Sequence, residues 1–564
     1  MKKKPRLSLF MIVKDEEEDL PRCLKTVQGV VDEIVVVDTG SVDRTVEIAR
    51  AHGARVHKFP WTGSFAEARN FAVKKVRGEW ILWMDADEEL CEADSGLLPG
   101  LLDDPAVEGY HVRIFNYVGE SPGTDIEVTF SPRLFRNNTV HRFSGDIHEQ
   151  WTGSLEEGSR FRLCPVRIFH YGYLNPKVRQ RGKNRRNIEI LERLVAQNPG
   201  DLFHRFNLGA EYYRLGQYEK AVAQFEKSRR GLMTGAPGSG VPAQDILAAP
   251  GWVAKMLKLH TVALLHLNLA PEALDLIESG LRIYPDYTDL VYLRGIACAE
   301  QKRHAAAVGA FRQCLAMGPA PVPPYVADPG VAGFKAHYAL ARVYEEMGKL
   351  DQAVSCYRAA FESNTAYLDP LYRLGAILGR GDDLEAVRDS LNRYFDLANP
   401  SHLIVLADIF FKIERYSVPL EYLNQALAAG AAAGDLAMTR GLCFARTGKF
   451  EQALFELQLI PRGDPNREQG WLNEAFCLWN LDRIEEAREV LGRLGTGREP
   501  YLALAGLFRA EAARVLQEGI RRFPEAEILK RSLDELTRNP AESERTPGPS
   551  EKISGGPERG ETPA

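Results

Sequence analysis

The stretch Trp80-Ile81-Leu82-Trp83-Met84-Asp85-Ala86-Asp87-Glu88-Glu89 decides how this chain is read. Five apolar residues in a row make a buried strand, and the run ends on two aspartates placed i and i+2. In open α/β sheets, ligands bind beyond the carboxyl ends of the strands, so Asp85 and Asp87 stand where a ligand would lie. One carboxylate can hold a divalent cation while the other meets a ribose or a bridging water. Oxygen donors of this kind suit Mg or Mn, which bridge the oxygens of a diphosphate.

An Asp-x-Asp pair alone is also an ordinary polar turn, and its neighbours supply the context. Residues 7–13, 33–37, 54–59 and 80–84 read as strands. Residues 20–27, 42–52 and 65–76 carry apolar side chains at helical spacing between them, the alternation of an α/β layer with mainly parallel strands. The runs 110–118, 133–136 and 166–170 read as strands of a mixed sheet edge. The first strand ends in Ile12-Val13-Lys14-Asp15-Glu16. The second ends in Val35-Val36-Val37-Asp38-Thr39-Gly40-Ser41-Val42-Asp43-Arg44-Thr45, an acidic, glycine-containing turn in which Ser41 or Asp43 caps the next helix.

These segments, with Ala68-Arg69-Asn70 and the Asp-x-Asp pair in the expected order, resemble family 2 glycosyltransferases of the GT-A fold over residues 7–173. The resemblance implies that Val13, Lys14 and Glu16 border a nucleotide, that Asp38 accepts a hydrogen bond from the base, and that Arg69 lies beside base or phosphate. Ser41, in the same turn as Asp38, joins this nucleotide-binding group. Asp85 is then expected near the ribose and Asp87 on the metal. The donor expected is a sugar carried on a nucleoside diphosphate, UDP favoured, with Mn or Mg.

An inverting transferase also needs a base to deprotonate the acceptor and a cation to neutralise the leaving diphosphate. Phe143-Ser144-Gly145-Asp146-Ile147-His148-Glu149-Gln150-Trp151 gathers three titratable groups beside an aromatic ring. Glu149 is the first candidate for the base and Asp146 the second. With Arg133-Leu134-Phe135-Arg136, this segment resembles the subgroup of lipopolysaccharide-core β-glucosyltransferases and bacteriocin peptide S-glycosyltransferases. Other family 2 enzymes carry a Glu-Asp pair at the comparable place, and this chain does not. His170, closing Val166-Arg167-Ile168-Phe169, is a candidate nitrogen ligand for the cation, and His148 is its rival. Processive family 2 synthases carry Gln-x-x-Arg-Trp, and no Arg-Trp dipeptide occurs here, so transfer of one sugar or a few is expected. Sugar selectivity is expected to rest on loops around 117–128, which show no readable code.

Behind the α/β part the chain becomes repetitive. Residues 177–197 begin basic and turn amphipathic, reading as a connecting helix within 174–200. Leu208-Gly209, Tyr212, Ala221 and Phe225 then occupy the seventh, eighth, eleventh, twentieth and twenty-fourth places of a unit of about 34 residues, which resembles the tetratricopeptide repeat. Gly295, Ala307 and Phe311 repeat the pattern, as do Leu340, Tyr344, Ala353 and Tyr357. Small residues at places eight and twenty let paired helices approach, and stacking them builds a superhelical solenoid. The array is expected over 201–538, with Pro/Gly-rich insertions near 235–251 and 319–330 that loop out of it, and a disordered tail over 539–564.

With 564 residues, the chain exceeds the size of one hydrophobic core. A hydrophobic share of 45% and a net charge of −6 give no general attraction to nucleic acid. No apolar run approaches the ~20 residues of a membrane span. The eight cysteines stand singly, as in a reducing compartment. A cytoplasmic protein is therefore expected, with any membrane contact peripheral and on the inner face. The repeats point to a protein or peptide acceptor, with a lipopolysaccharide or lipid-linked saccharide as rival. Two other classes are weighed: a repeat scaffold with a nucleotide-binding remnant, against which the intact Asp38, Asp85 and Asp87 speak, and a nucleotidyltransferase, whose early Gly-rich phosphate loop is replaced here by the acidic run from Asp15 to Asp19.

Overall fold

The computed structural model describes residues 4–119, 122–123, 125–138, 142–145, 150–151, 160–174, 183–233, 251–321, 325–379, 383–494, 516–517, 519–521 and 524–538. It divides into two compact units, Met1–Tyr367 and Leu368–Ala564. The α/β part and the first repeats thus share one unit.

That unit is built on an eight-stranded mixed sheet. Strands β1 (Leu7–Val13), β2 (Glu33–Asp38), β3 (Arg55–Lys58) and β4 (Trp80–Trp83) run parallel. They are followed by β5 (Glu88–Leu90), β6 (Gly109–Val118), β7 (Asp125–Arg136) and β10 (Phe161–His170), in the order β3-β2-β1-β4-β7-β6-β10-β5. The buried runs LSLFMIV and WILW form the central strands because the sheet is covered on both faces. Leu9, Met11, Leu24 and Leu82 fill one side, and Phe10, Val35, Ile81 and Phe135 the other. Helices α1 (Leu20–Val27), α2 (Thr45–Ala51) and α3 (Phe65–Val73) supply the connections, and the short helix α4 (Leu98–Leu102) follows β5.

β7 is antiparallel to both β4 and β6, and β10 is parallel to β6. The ends of β1, β2, β4, β6 and β10, together with the start of β7, therefore share one edge of the sheet. The strand read at 133–136 is in fact twelve residues long, and its early half pairs with β6 through Tyr117↔Ile126 and Val118↔Asp125. The 117–128 region is thus largely hairpin rather than loop. β4 pairs only with Leu134–Arg136 of β7, which leaves the earlier β7 edge exposed past Leu134. Ala327 fills that place, exchanging backbone hydrogen bonds of 2.8 and 3.2 Å with Val128.

The segment at 319–330, expected to loop out, packs inward where it is described. Tyr325 is buried and stacks on Tyr287 with ring centroids 4.5 Å apart, and the Tyr287 hydroxyl donates to the Val326 carbonyl. Pro and Gly disfavour long helices or strands there, but they do not prevent burial. The insertion near 235–251 and the tail over 539–564 lie outside the described residues, apart from Gly251, the first residue of a helix.

The repeats are antiparallel helix pairs. In this unit they include Leu202–Arg214 with Tyr218–Met233, Thr288–Glu300 with His304–Met317, and Phe334–Glu346 with Leu350–Ser363. The helix Gly251–His266 lies among them, and the connecting helix Lys183–Gln197 precedes them. Their small-residue places behave as the pattern requires: a side chain on Gly209 would come within 2.6 Å of the Phe225 ring. The repeats meet the sheet through partly buried ion pairs. Glu127 of β7 lies 3.4 Å from Lys255 and 3.5 Å from Lys258, Lys258 also pairs with Asp289 at 2.7 Å, and Lys335 bridges Asp125 and Asp328. Leu368–Ala564 continues the helix pairs around its own core of Leu457, Cys477, Leu478 and Leu491, crossed by a buried Arg467–Glu474 pair at 2.8 Å.

Candidate active site

The common sheet edge carries two groups of side chains. At its β1/β2 end the turns after the two strands are zipped together. Asp15, in a left-handed conformation with φ 52°, accepts from the Val42 amide at 2.8 Å, and its own amide donates to the Ser41 hydroxyl at 3.0 Å. The Glu16 amide donates to Thr45 Oγ1 at 2.7 Å, and the Glu17 amide to Asp43 at 3.1 Å. Asp43 also accepts from the Thr45 amide, so Asp43 serves the start of α2 while Ser41 ties the two turns to each other. Asp38 is buried at the end of β2, and its Oδ1 accepts from the Ser41 amide at 2.9 Å. Val13 is buried beside it, Lys14 is exposed, and Glu16 is partly covered.

At the β4 end, Asp85 accepts from Arg69 at 3.2 Å. Its amide donates to Glu88, a fully buried carboxylate held by Arg133 at 2.6 Å. The Arg69 and Arg133 guanidinium carbons lie 3.9 and 3.5 Å from the Trp83 ring centre, so both cations are braced on one indole. Burial pushes the Glu88 carboxyl above its ordinary range although Arg133 opposes the shift. Sequence reading missed Glu88 and Arg133 as parts of the site. An acidic residue directly after the Asp-x-Asp pair, with an arginine inside an apolar strand, was the available signal.

Asp87 is buried, with Oδ1 3.4 Å from His170 Nε2. His170 Nδ1 meets Asn116 Oδ1 at 2.8 Å, and the Asn116 amide nitrogen donates to the Glu127 carbonyl and to Thr129 Oγ1. With the Asn116 oxygen fixed as an acceptor, His170 carries a proton on Nδ1, and its Nε2 faces Asp87. Burial disfavours the charged imidazole, but Asp87, then Glu88 and Asp85, hold its pKa above the usual histidine value. Gly172 leaves the space beside this pair open: a Cβ there would collide with Asp87 Oδ2 and come within 2.7 Å of His170 Nε2. A carboxylate oxygen and an imidazole nitrogen bordering an open cradle are a donor set that would suit a Mn or Mg ion. Among the described residues no set of three or more His, Cys, Asp or Glu donors converges.

Asp146, His148 and Glu149 lie outside the described residues. The short strands β8 (Phe143–Ser144) and β9 (Gln150–Trp151) that flank them are antiparallel partners. Asn70 fastens β8 by exchanging two 2.9 Å hydrogen bonds with the Phe143 backbone, and Trp151 stacks on Phe135 at 4.0 Å.

Residues 8–152 match the family model described as glycosyl transferase family 2. Residues 205–228, 262–320, 334–367 and 404–468 match models of the tetratricopeptide repeat. The N-terminal region is a family 2 glycosyltransferase domain, and tetratricopeptide repeats follow it. A TPR repeat-containing protein of Synechococcus elongatus is 37% identical over 244 residues, covering 42% of this chain and 59% of that protein. The SPbeta prophage-derived glycosyltransferase SunS of Bacillus subtilis is 26% identical over 226 residues, covering 40% of this chain and 53% of its own length. An uncharacterized glycosyltransferase of Rickettsia typhi is 40% identical over 87 residues, 15% of this chain and 30% of that protein. The chain thus spans between 30% and 59% of the length of these curated relatives. Among the described residues no helix is long and apolar enough to cross a membrane.

Proposed function

We propose that the protein is an inverting, non-processive glycosyltransferase that moves a hexose from a UDP-sugar to an acceptor brought by the repeats, a protein or peptide in the favoured reading. The observation that carries this is the placement of Asp38, Asp85 and Asp87 at the ends of β2 and β4, the strands on either side of β1, on one sheet edge, with His170 against Asp87. The family model and the glycosyltransferase names of the relatives support the reaction class.

In this reading Asp38 receives the base, framed by Val13, Lys14, Glu16 and Ser41, and Arg69 and Asp85 flank the ribose and phosphates. Asp87 and His170 would hold Mn or Mg, which when bound neutralises the leaving diphosphate. Arg69 and Arg133, braced on Trp83, add positive charge to that end of the site. Glu149, or Asp146, takes the proton from the acceptor as it attacks the anomeric carbon, and His148 is the alternative nitrogen donor. The repeats, whose concave surfaces suit extended chains, select the acceptor.

The test is release of UDP or GDP from a panel of sugar nucleotides with added Mn. At least one donor should be hydrolysed by the wild type, and Asp87→Asn should lower that rate about 100-fold or more. No release from any donor, or equal rates in the two proteins, would sink the proposal. Intact-mass analysis of proteins from the same cells then identifies the acceptor.

A further inference from the structure

We infer that the tetratricopeptide repeats position His170, and through it the cation site, along two routes. The inference rests on reading Asp87 and His170 as the cation ligands.

The first route runs through the β6–β7 hairpin. His170 Nδ1 is held by Asn116, and the Asn116 amide nitrogen is fixed at 3.0 Å on the backbone carbonyl of Glu127. The Glu127 carboxylate is clamped by Lys255 and Lys258, both on the repeat-region helix Gly251–His266, and Lys258 is anchored from behind by Asp289 at 2.7 Å. The second route touches the face of the imidazole. The Tyr173 ring meets the His170 ring edge-on, 4.7 Å between centroids and 76° between planes. The Arg214 guanidinium lies 5.3 Å from the centre of that tyrosine and is fixed by Glu211 at 2.6 Å, one turn earlier in the repeat helix Leu202–Arg214. The same helix is pinned to its predecessor by the Tyr212 hydroxyl on Glu192 at 2.5 Å.

A metal-ligating imidazole is only as well aimed as the partner on its other nitrogen and the wall against its ring. Here the chain of contacts on each side ends on a repeat-region cation. Glu127 and Arg214 are therefore positioning residues: neither faces the cradle at Gly172, and each acts through another side chain. The Lys335 contacts to Asp125 and Asp328 belong to the same interface; the Asp328 amide donates to Asp289 at 3.0 Å, so Lys335 reaches the first route only at second remove.

The test uses the full chain with UDP present and follows the electron paramagnetic resonance signal of free Mn2+ during titration. Glu127→Gln and Arg214→Ala combined should weaken Mn2+ binding at least tenfold, the range found when partners behind a metal ligand are removed. Each single variant should weaken it severalfold, Arg214→Lys should bind as the wild type does, and UDP affinity measured without metal should be unchanged throughout. Lys335→Ala, which removes an interface ion pair while leaving the Glu127, Lys258 and Arg214 contacts in place, should stay within twofold of wild-type Mn2+ affinity. If the double variant does not fold by circular dichroism, Arg214→Ala decides. Mn2+ affinity within twofold of wild type in the deciding variant, or an equal loss in Lys335→Ala, overturns the inference while leaving the donor-site reading intact. Absence of Mn2+ binding by the wild type, or binding unaffected by Asp87→Asn, overturns both.

Discussion

The two ends of the active edge are held in different ways. The β1/β2 end is fastened by hydrogen bonds within the first 45 residues, between turns that the parallel strands already bring side by side: Asp15 with Ser41 and Val42, Glu16 with Thr45, Glu17 with Asp43. The Asp87–His170 end joins groups far apart in the chain. Asp87 meets His170, His170 meets Asn116, and Glu127 of the intervening hairpin is clamped from Lys255 and Lys258. The β1/β2 end is therefore complete once the sheet forms, whereas the Asp87–His170 end also draws on contacts from the repeats.

The largest expected break in this comparison is Gly172→Ala. The new methyl would strike Asp87 Oδ2 and the approach to His170 Nε2, so Mn-dependent donor hydrolysis should fall about 100-fold. UDP binding without metal should persist, because nothing at the β1/β2 end moves. Isothermal titration with UDP alone separates the two, and equal losses at both ends would show that they are not independent.

Asp38→Ala probes the opposite end. Losing a hydrogen bond to a charged acceptor costs about 1.5–3 kcal/mol, so UDP affinity should drop roughly ten- to a hundredfold while Mn2+ binding without nucleotide stays as in the wild type. A variant that binds UDP normally would remove Asp38 from the donor site.

The smallest expected effect is on stability and depends on pH. Burial alone would raise the Glu127 carboxyl, but Lys255, Lys258 and Arg214 overcome it and lower its pKa from 4.5 to about 2. A carboxylate with a depressed folded pKa stabilises above its ordinary value, and the contribution is lost as the pH falls from about 4.5 towards about 2. Asp289 has the opposite sign. Burial pushes it from 3.8 to about 6 against the pull of Lys258, so its ionisation costs stability above about 6 and the cost disappears as the pH falls towards 3.8. Comparing melting temperatures of the wild type and Glu127→Gln removes the shared Asp289 contribution to first order. Their gap should be widest near neutrality and close below pH 4.5; a gap constant from pH 7 to 3 would rule out Glu127 as an ionic anchor.

Much of the strand-end geometry was legible because its determinants are local, although no function of those ends follows from that alone. A short apolar run ending on a carboxylate names both a buried strand and the residue at its tip, and that reading found Asp38, Asp85 and Asp87. It missed Glu88, Arg133 and Asn116, whose roles arise from partners 45 to 54 positions away. It took 117–128 for loop because the charges at Asp125 and Glu127 resemble solvent-facing residues. They lie in a strand and are countered by repeat lysines. The segment at 319–330 carried a similar ambiguity, since proline and glycine mark irregular backbone whether it is exposed or, like Tyr325 and Ala327, buried.

By itself the sequence determined that a sheet would form, which strands would be buried, where their acidic ends would fall, and that helical repeats would follow, since hydrophobic spacing and small-residue periodicity act over a few turns of chain. Only the tertiary structure decided that Met1–Tyr367 is one compact unit and that Ala327 completes the exposed edge of β7. It alone also decided that His170 is aimed by Asn116 on one side and faced by Tyr173 on the other. Those outcomes depend on which distant groups meet when two surfaces close, and the burial and cation contacts that shift the pKa values of Glu127, Asp289 and Glu88 exist only after they have done so.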